Sequence, residues 1–479
     1  MALALPGPGL VPLVLLVPGL LRRALEGRRG WRAFRVGWVA GFAEWVVGVA
    51  WVVIVLHRYG HLYLPLSILG LVLMSAILGL GWALAGWGAS MAPARWRIWL
   101  LPLAIVEFEE LQRFPPWIFP WNPAAAVLTP IPALLAPAPL IGATGLSLLV
   151  FLAGASLDSM LRRSERASGG VWLALCVVAW AGAGLTAPRF EANGPAIEVA
   201  ALQPNVPLEI RWEGNSERQI EERVWALTRQ AATAGAGWVV WPESAVPRML
   251  ERDAEYRDAL GALARETRAW ITVGSIGFGA DEDTYFNSVY MVSPSGLMPG
   301  RYDKVHLVPF GEYVPLVGRI GALKALVREV GSFTPGESEK PLAGPIGATG
   351  VAVCYEVAYA SLYAAEVRNG AAVLATITND GWYGDSAAPR QHLALAILRA
   401  AENRRFLVRA ANTGISAIID PYGRVVSRLD FGRQGLITAD VRPGSGVTPA
   451  ASLGGWIGAA VILLAAGAII LGAGRRDRD

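Results

Sequence analysis

The stretch GVAVCYE (350–356) ends a run of small and β-branched residues in a cysteine, with Glu356 two positions later. The one other cysteine, Cys176, lies inside an apolar run, so a disulfide framework is not expected. A cysteine attacks through its thiolate, yet a cysteine that ends an apolar strand is more often a small buried hydrophobe. A catalytic role for Cys354 therefore depends on partner groups elsewhere in the chain.

Two further stretches carry the groups that such a thiol would need. WPESAVP places Glu243 directly after a predicted strand, and YDKVHLVPFGEYVP contains Lys304 and Glu312. Reactive groups of α/β folds commonly lie where strands end. Each residue alone is more often a turn, cap or surface residue. Their joint pattern, in a chain with few charges, favours catalysis.

Together these residue types could form and resolve a covalent acyl-enzyme. A nearby ammonium such as that of Lys304 favours the thiolate, so we expect it to lower the pKa of Cys354. The carboxylate of Glu243 could take the thiol proton and later return it. Lys304 and the backbone N–H after the cysteine could stabilise the oxyanion of a tetrahedral intermediate. The pattern predicts a base, an electrophile and a nucleophile.

The region that carries these motifs, about 195–445, alternates short apolar strands with amphipathic helices. This order predicts an α/β domain in which helices cover a sheet core. Strands are predicted at 197–203, 238–241, 270–275, 350–355 and 372–378, and helices at 216–234, 253–267 and 388–411. The glycine- and proline-containing stretch 331–348 is predicted to be a mobile loop and a candidate lid.

The rest of the chain is too apolar for an ordinary soluble protein. Of its 479 residues, 54% are apolar and 17% are charged, and the mean hydropathy is +0.41. A helix that spans a bilayer needs ~20 apolar residues. Seven spans are predicted from charge-poor runs near 8–21, 36–56, 62–90, 98–112, 138–157, 170–187 and 453–474. The first run is short, and Glu107, Glu109 and Glu110 interrupt the end of the fourth.

Arginine clusters follow the first, third, fifth and seventh runs, so that every second loop is basic. They are Arg22, Arg23, Arg28, Arg29, Arg32 and Arg35; Arg95 and Arg97; Arg162, Arg163 and Arg166; and Arg475, Arg476 and Arg478. Under the positive-inside rule these loops are cytoplasmic, and the 195–445 domain lies on the outer side of the membrane. The net charge of +4 is small and sits in these clusters, which indicates membrane topology rather than nucleic-acid binding.

The order of the motifs WPES, DKVHLVPFGEYVP and CYE resembles the nitrilase superfamily of carbon–nitrogen hydrolases, whose Glu-Lys-Cys triad sits on an αββα sandwich. HLVPFGEYVP, with apolar spans on both sides of the domain, is similar to the apolipoprotein N-acyltransferase family within it. The resemblance covers nearly the whole chain. It implies a transmembrane bundle of about six spans at 1–190, an extracytoplasmic catalytic domain at 195–445 and a last span with a basic cytoplasmic tail at 450–479. That family usually has eight spans, one more than the seven counted here.

The resemblance assigns roles by position. Glu243 would be the general base, Lys304 the cation beside the oxyanion and Cys354 the thioester nucleophile. Glu312, in FGEYVP, matches a glutamate that supports the site.

Four further residues match family positions near the reacting atoms. Tyr355 and Glu356 match residues beside the nucleophile. Trp212, in IRWEGN, matches a tryptophan on a lid-like arm, and Trp121, in FPW, matches an aromatic that faces the active site from the membrane half. Both tryptophans could equally be interfacial residues at headgroup level.

The implied reaction is a two-step acyl transfer. A phospholipid, typically phosphatidylethanolamine, acylates the cysteine and leaves as a lysophospholipid, and the N-terminal amine of an S-diacylglyceryl-cysteine lipoprotein then takes the acyl chain. The expected location is the bacterial inner membrane, with the catalytic domain on the periplasmic side. We expect no metal or other cofactor, because His306 has no partner at metal-ligand spacing and no glycine-rich phosphate loop of the usual pattern occurs. A monomer suffices for this chemistry.

Two other functions stay open at this point. A membrane-tethered amidase of the same superfamily would use the same triad with water as the acceptor. A transporter or scaffold would carry an inert outer domain, although the intact Glu243, Lys304 and Cys354 argue against it. Replacement of Cys354 by alanine would separate a scaffold from either enzyme.

Overall fold

The computed structural model describes residues 1–7, 9–114, 119–209, 216–281, 283–309, 311–313 and 333–476. The chain divides into two compact units. The first comprises Met1–Arg189, Ser386–Glu402 and Thr448–Asp479, and the second comprises Phe190–Asp385 and Asn403–Val447. Glu243, Lys304 and Cys354 all belong to the second unit.

The second unit is built on two sheets, each with six strands among the described residues. The strands are β1 Ile197–Gln203, β2 Trp238–Val240, β3 Trp270–Phe278, β4 Tyr285–Val292, β5 Arg301–Asp303, β6 Leu342–Gly344, β7 Gly347–Val353, β8 Val373–Thr378, β9 Leu407–Ala411, β10 Ser416–Ile419, β11 Val425–Leu429 and β12 Gly435–Val441. One sheet has the order β12-β1-β2-β3-β4-β5 and the other β11-β10-β9-β8-β7-β6.

The two sheets pack face to face through apolar side chains. One buried cluster joins Val199 and Val240 of the first sheet to Val351, Val353 and Ala375 of the second. Strand β8 is buried along its whole length, as expected for a central strand with both faces covered.

Helices cover the outer faces of both sheets. Ser216–Thr233 and Ala254–Thr267 bury apolar residues against the first sheet, Val224 and Leu260 among them. Ala360–Arg368 packs on the second sheet, where the hydroxyl of Tyr363 donates to the Ala375 carbonyl at 2.9 Å. The predicted αββα sandwich is confirmed.

Parallel pairing brings the motif-bearing turns to the ends of neighbouring strands. β2 pairs in parallel with β1 and β3, and β8 pairs in parallel with β7 and β9. The carboxyl ends of parallel neighbours lie at the same edge of a sheet. Glu243 follows β2, Cys354 follows β7 and Asn379 follows β8 at such ends.

The predicted elements that flank the motifs are confirmed, with two corrections. The helix predicted at 388–411 is wrong in its last third, because Ala388–Asn403 ends where Arg404 takes a left-handed conformation (φ 48°) and β9 begins at Leu407. The stretch predicted as a loop at 331–348 contains β6; its residues 331–332 lie outside the described residues.

The first unit is helical. Its α-helices, as described, are Leu16–Ala24, Trp31–Gly48, Val52–Ile54, Leu64–Leu78, Leu80–Met91, Arg97–Leu111, Ala138–Met160, Arg166–Thr186, most of Ala388–Asn403, Pro449–Leu453 and Trp456–Arg476.

Some of these helices are long and apolar enough to cross a bilayer. By length and composition, three qualify within the described ranges: Leu64–Met91, Ala138–Met160 and Arg166–Thr186. The pair Trp31–Gly48 and Val52–Tyr59, bent by 60°, would make a fourth, and Trp456–Leu471 is a shorter apolar helix. The count of seven spans stays a prediction.

Residues 386–402 belong to the first unit, although the sequence-based boundaries place them in the catalytic domain. A buried polar contact explains the difference. Gln391 donates to the Gly48 carbonyl at 3.0 Å and accepts from the indole N–H groups of Trp51 and Trp121 at 3.1 and 2.9 Å. The helix is therefore tied to the N-terminal helices by its buried face.

Ion pairs join Leu16–Ala24 to the end of Ala138–Met160 and to the turn that follows it. Arg22 donates to Glu165 at 2.6 Å, and Arg23 donates to Asp158 at 2.6 Å. Arg162 also donates to Asp158, at 3.0 Å. Part of the first predicted basic cluster is therefore neutralised within the protein.

Candidate active site

The chain turns sharply at Cys354, directly after β7. Cys354 has φ 54°, a left-handed conformation that non-glycine residues adopt rarely and that clusters at functional sites. A short 3₁₀ helix, Cys354–Ala358, follows at once. The buried carboxylate of Glu356 accepts from the Val353 N–H at 2.8 Å and thereby closes the turn on itself.

Glu356 also fixes the segment that carries the lysine. It accepts from the backbone N–H groups of Val305 and His306 at 2.7 and 2.9 Å and from the Tyr302 hydroxyl at 2.9 Å. Burial raises the pKa of Glu356 to about 7, although Lys304 and these donors favour its charged form. One carboxyl group thus joins the nucleophile turn to the lysine segment.

Lys304 is buried, with 1% of its side chain exposed. Its Nζ lies 2.9 Å from both carboxylate oxygens of Glu312. Burial opposes the charge on Lys304, but Glu312, Glu243 and Cys354 outweigh it and raise the lysine pKa. Burial also opposes ionisation of Glu312, but Lys304 and the Val308 N–H hold the pKa of that carboxyl below its usual value. The pair stays charged.

Glu243 shares a donor with Glu312. The side-chain amide of Asn287 donates to Glu243 at 2.8 Å and to Glu312 at 3.0 Å. The second oxygen of Glu243 accepts from the Asn379 N–H at 3.1 Å. Gly274 lets the Glu243 turn approach β3, since a Cβ there would lie 2.8 Å from the Ser244 nitrogen. The carboxylate is held from three strands: β2, β4 and β8.

Burial sets the net pKa shift of Cys354. Burial is the main cause that raises the pKa of the Cys354 thiol to about 12, and the charge of Glu243 raises it further. Lys304 and a hydrogen bond with Thr378 act in the opposite direction but do not prevail. The Lys304 ammonium lowers the cysteine pKa as predicted, but burial outweighs it, so the net shift of the thiol pKa is upward. The resting group is a thiol, and attack requires a base.

Aromatic residues pack beside the nucleophile. The ring of Tyr355 is buried and meets Tyr359 edge-on at 5.6 Å. Tyr359 in turn stacks on His306 at 3.9 Å. Burial, with Lys304 nearby, lowers the pKa of His306 to about 4, so the imidazole is neutral at neutral pH. Tyr355 and Tyr359 are both buried, so these rings cover the turn that carries the nucleophile.

Of the two tryptophans predicted near the site, the structure describes only Trp121. Trp121 belongs to the first unit, where it is 1% exposed, bonded to Gln391 and 5.6 Å from Trp51. It is therefore a buried residue of an aromatic cluster rather than an exposed interfacial one. Trp212 lies outside the described residues.

Family comparisons match both units. A model described as carbon–nitrogen hydrolase matches residues 198–447, and one described as apolipoprotein N-acyltransferase N-terminal domain matches residues 1–156. The apolipoprotein N-acyltransferase of Geobacter metallireducens is 33% identical over 461 residues, which cover 93% of this chain and 88% of that protein. The chain belongs to the apolipoprotein N-acyltransferase family.

A second relative and a solved structure are also similar to this chain. The apolipoprotein N-acyltransferase of Pseudomonas aeruginosa is 32% identical over 468 residues, 91% of this chain and 87% of that protein. Among solved structures, Saccharomyces cerevisiae Nit3, a member of the nitrilase superfamily, is 18% identical over 53% of this chain and 93% of its own, with a TM-score of 0.42.

Sequence reasoning missed two residues in the site of this apolipoprotein N-acyltransferase family member. Asn287 lies in β4, within YFNSVYMV, and Tyr302 lies in β5. A buried amide in an otherwise apolar strand was the available signal for Asn287, but β4 was not predicted. The Asn287 amide reaches Glu243 past strand β3 of the same sheet, and the Tyr302 hydroxyl reaches Glu356 at the end of β7 in the other sheet.

Proposed function

We propose that this chain transfers an acyl chain from a membrane phospholipid to the N-terminal amine of an S-diacylglyceryl-cysteine lipoprotein, through a thioester on Cys354. The names of relatives at 32–33% identity support the reaction class. One observation carries the mechanism: a strained turn presents the buried Cys354 thiol to the charges of Glu243 and Lys304.

In the first step, the Cys354 sulfur attacks the ester carbonyl of the phospholipid while its proton passes to Glu243. The ammonium of Lys304 stabilises the oxyanion that develops on the carbonyl oxygen. The C–O bond then breaks, and Glu243 returns the proton to the departing lysophospholipid oxygen. The product is an S-acyl Cys354.

In the second step, the lipoprotein amine attacks the thioester carbonyl. Glu243 takes the amine proton, Lys304 again stabilises the oxyanion, and the C–S bond breaks. The sulfur leaves as a thiolate and regains its proton from Glu243, because burial favours the neutral thiol. The amide product departs, and the resting charges of the site are restored.

The other matched residues have supporting roles in this proposal. Glu312 holds Lys304 charged, and Glu356 joins the nucleophile turn to the lysine segment. Tyr355 supplies an apolar wall. Trp121 and Trp212 are proposed substrate-side residues, as the family resemblance implies.

The proposal also covers the domain boundaries of the chain and its location in the cell. The 195–445 domain is catalytic and faces the periplasm, and the flanking segments 1–190 and 450–479 hold it at the inner membrane. Both substrates are anchored in a bilayer, so a catalytic domain tethered to its surface meets them there. Within the stretch 331–348, the residues before β6 are the proposed lid; an acyl-transfer rate unchanged by their deletion would argue against that role.

Mass spectrometry of the purified full chain tests the thioester. After incubation with phosphatidylethanolamine, we expect one acyl chain on the Cys354 peptide, released by hydroxylamine. Addition of a diacylglyceryl-cysteine peptide should remove it and yield an N-acylated peptide. If water removed the acyl chain from Cys354 as fast without the peptide as with it, an amidase-type hydrolase would be favoured instead.

The second cysteine provides a matched control. Cys354→Ala should abolish the adduct, whereas Cys176→Ala should leave it unchanged. An acyl adduct that survives Cys354→Ala would refute the mechanism.

A further inference from the structure

A groove on the first unit joins apolar walls to a basic end. Its volume is about 1090 Å³, above the ~300–1,000 Å³ usual for small-molecule sites. One wall is the Leu16–Ala24 helix with its flanking residues, and the other is the Trp31–Gly48 helix. Trp82 of a third helix also lines it.

Both walls change from apolar to basic toward the same end of the groove. Along Trp31–Gly48, the lining residues recur every three or four positions, from Arg32 and Arg35 through Val39 to Val47, and so share one helix face. Along the other wall the stripe runs through Leu16 and Leu20 and ends at Arg28. The large apolar side chains of both walls are exposed, namely Leu16, Leu20, Val39 and Val47.

The basic end lacks counter-charges. Within the described residues, Arg28, Arg32 and Arg35 form no ion pair, whereas the neighbouring Arg22 and Arg23 are paired with Glu165 and Asp158. The Arg28 guanidinium donates to a backbone carbonyl, that of Ala24, at 2.7 Å. All three arginines are exposed. A guanidinium is the preferred partner of a phosphate group.

The opposite end of the groove has a carboxylate that is already engaged. Glu44 accepts from the Ala2 N–H at 2.6 Å and lies 3.3 Å from the Met1 nitrogen. The groove is therefore polarised, with unpaired positive charge at one end only.

We propose that this groove binds an anionic glycerophospholipid, with its phosphate at Arg28, Arg32 and Arg35 and its acyl chains along the apolar walls. A free phosphate would leave the walls uncovered, and a zwitterionic lipid would leave the three charges without a net counter-charge. Because the positive-inside rule puts this end at the cytoplasmic face, the lipid belongs to the inner leaflet. It is thus distinct from the acyl donor proposed for Cys354.

Native mass spectrometry of the full chain in detergent tests the site. Equal amounts of phosphatidylglycerol and phosphatidylcholine with matched acyl chains are offered. We expect the retained phosphatidylglycerol to exceed phosphatidylcholine by about tenfold or more, since each arginine contributes to attraction toward anionic lipid. Equal retention of the two lipids would overturn the proposal, as would occupation of the groove by a second copy, seen as a lipid-free dimer.

Two variants localise the lipid. The triple substitution Arg28→Gln, Arg32→Gln and Arg35→Gln should reduce the preference to within about twofold, because the charge that supplies it is gone. Ala40→Trp in the groove should displace the lipid while all arginines remain. A preference unchanged in both variants would overturn the proposal.

A charge-matched control excludes a general effect of basic loops. Arg29, Arg95 and Arg163 belong to the same predicted basic clusters but do not line the groove. Their triple replacement by glutamine should keep the preference; loss equal to that of the groove variant would overturn the assignment. The proposal rests on the membrane placement proposed above, but not on the thioester, so acylation of Cys354 is measured separately in each variant.

Discussion

The alkylation of Cys354 by a neutral reagent should have the pH dependence of a thiol with a raised pKa. Burial, reinforced by Glu243 and opposed by Lys304, raises the pKa of this thiol to about 12. At about pH 7.5, a cysteine of ordinary pKa ~8.5 is about one-tenth thiolate. A thiol with a pKa near 12 is about 0.003% thiolate at that pH, a reduction of about three orders of magnitude.

The assay follows iodoacetamide labelling of the full chain by mass spectrometry. A Cys176→Ala background leaves Cys354 as the single thiol. Because thiolate is the reactive form, the rate should rise about tenfold per pH unit from about pH 6.5 to about pH 9.5 without reaching a plateau. A plateau below about pH 9 would mean that Lys304 prevails over burial, and would refute the reasoning.

Two substitutions separate the roles of the neighbouring charges. Lys304→Met removes the positive charge that favours the thiolate, so labelling should become slower at every pH. Glu243→Gln removes a negative charge and so lowers the thiol pKa. If thiolate supply alone limits labelling, this variant should label faster, whereas slower labelling would indicate that Glu243 takes the proton during attack. Acyl transfer, which needs that base in both steps, should fail in either case.

Three other substitutions test how the site is held. Asn287→Ala removes the amide shared by two carboxylates and should lower kcat/KM about 10- to 150-fold, the equivalent of ~1.5–3 kcal/mol for a hydrogen bond to a charged group; Ser288→Ala, on the other face of β4, is the control and should keep its rate. Glu356→Gln turns an acceptor into a donor that faces backbone N–H groups, so both acyl transfer and the thermal unfolding midpoint should fall, and an unchanged midpoint would contradict the role of this carboxyl. Gly274→Ala places a methyl group 2.8 Å from the Ser244 nitrogen and should shift the Glu243 turn, which lowers kcat more than it raises KM; a wild-type kcat would show that the turn is not constrained by β3.

The strands that precede the motifs could be predicted because they are apolar runs bounded by turn residues. β1, β2, β7 and β8 are of this kind and lie in the middle of the sheets. The central strand β9 was mistaken for part of a helix, and the strands nearer the edges were missed. Strand β11 shows why an edge strand is missed. Its residues VVSRL are mostly exposed, so neither a continuous apolar run nor a clear alternation marks it.

The residue types of the site were predictable, but their electrostatic balance was not. The sequence places Lys304 and Cys354 50 positions apart and suggests only that an ammonium favours a thiolate. How much water each group loses depends on the packing of two sheets, and that loss decides the sign of the Cys354 shift. The bridging role of Asn287 likewise depends on the register of β4 against β5, where its carbonyl accepts from the Lys304 N–H at 2.9 Å.

The arrangement lets the proton move without a change in the total charge of the buried site. With Glu243 and Glu312 as carboxylates, Lys304 as an ammonium and Cys354 as a thiol, the group carries one net negative charge. Ionisation of Cys354 with loss of the proton to water would add a second, which burial disfavours. Transfer of the same proton to Glu243 keeps the net charge constant and moves the negative charge to the attacking sulfur. A raised thiol pKa is therefore compatible with nucleophilic attack, provided that the base lies within the same site.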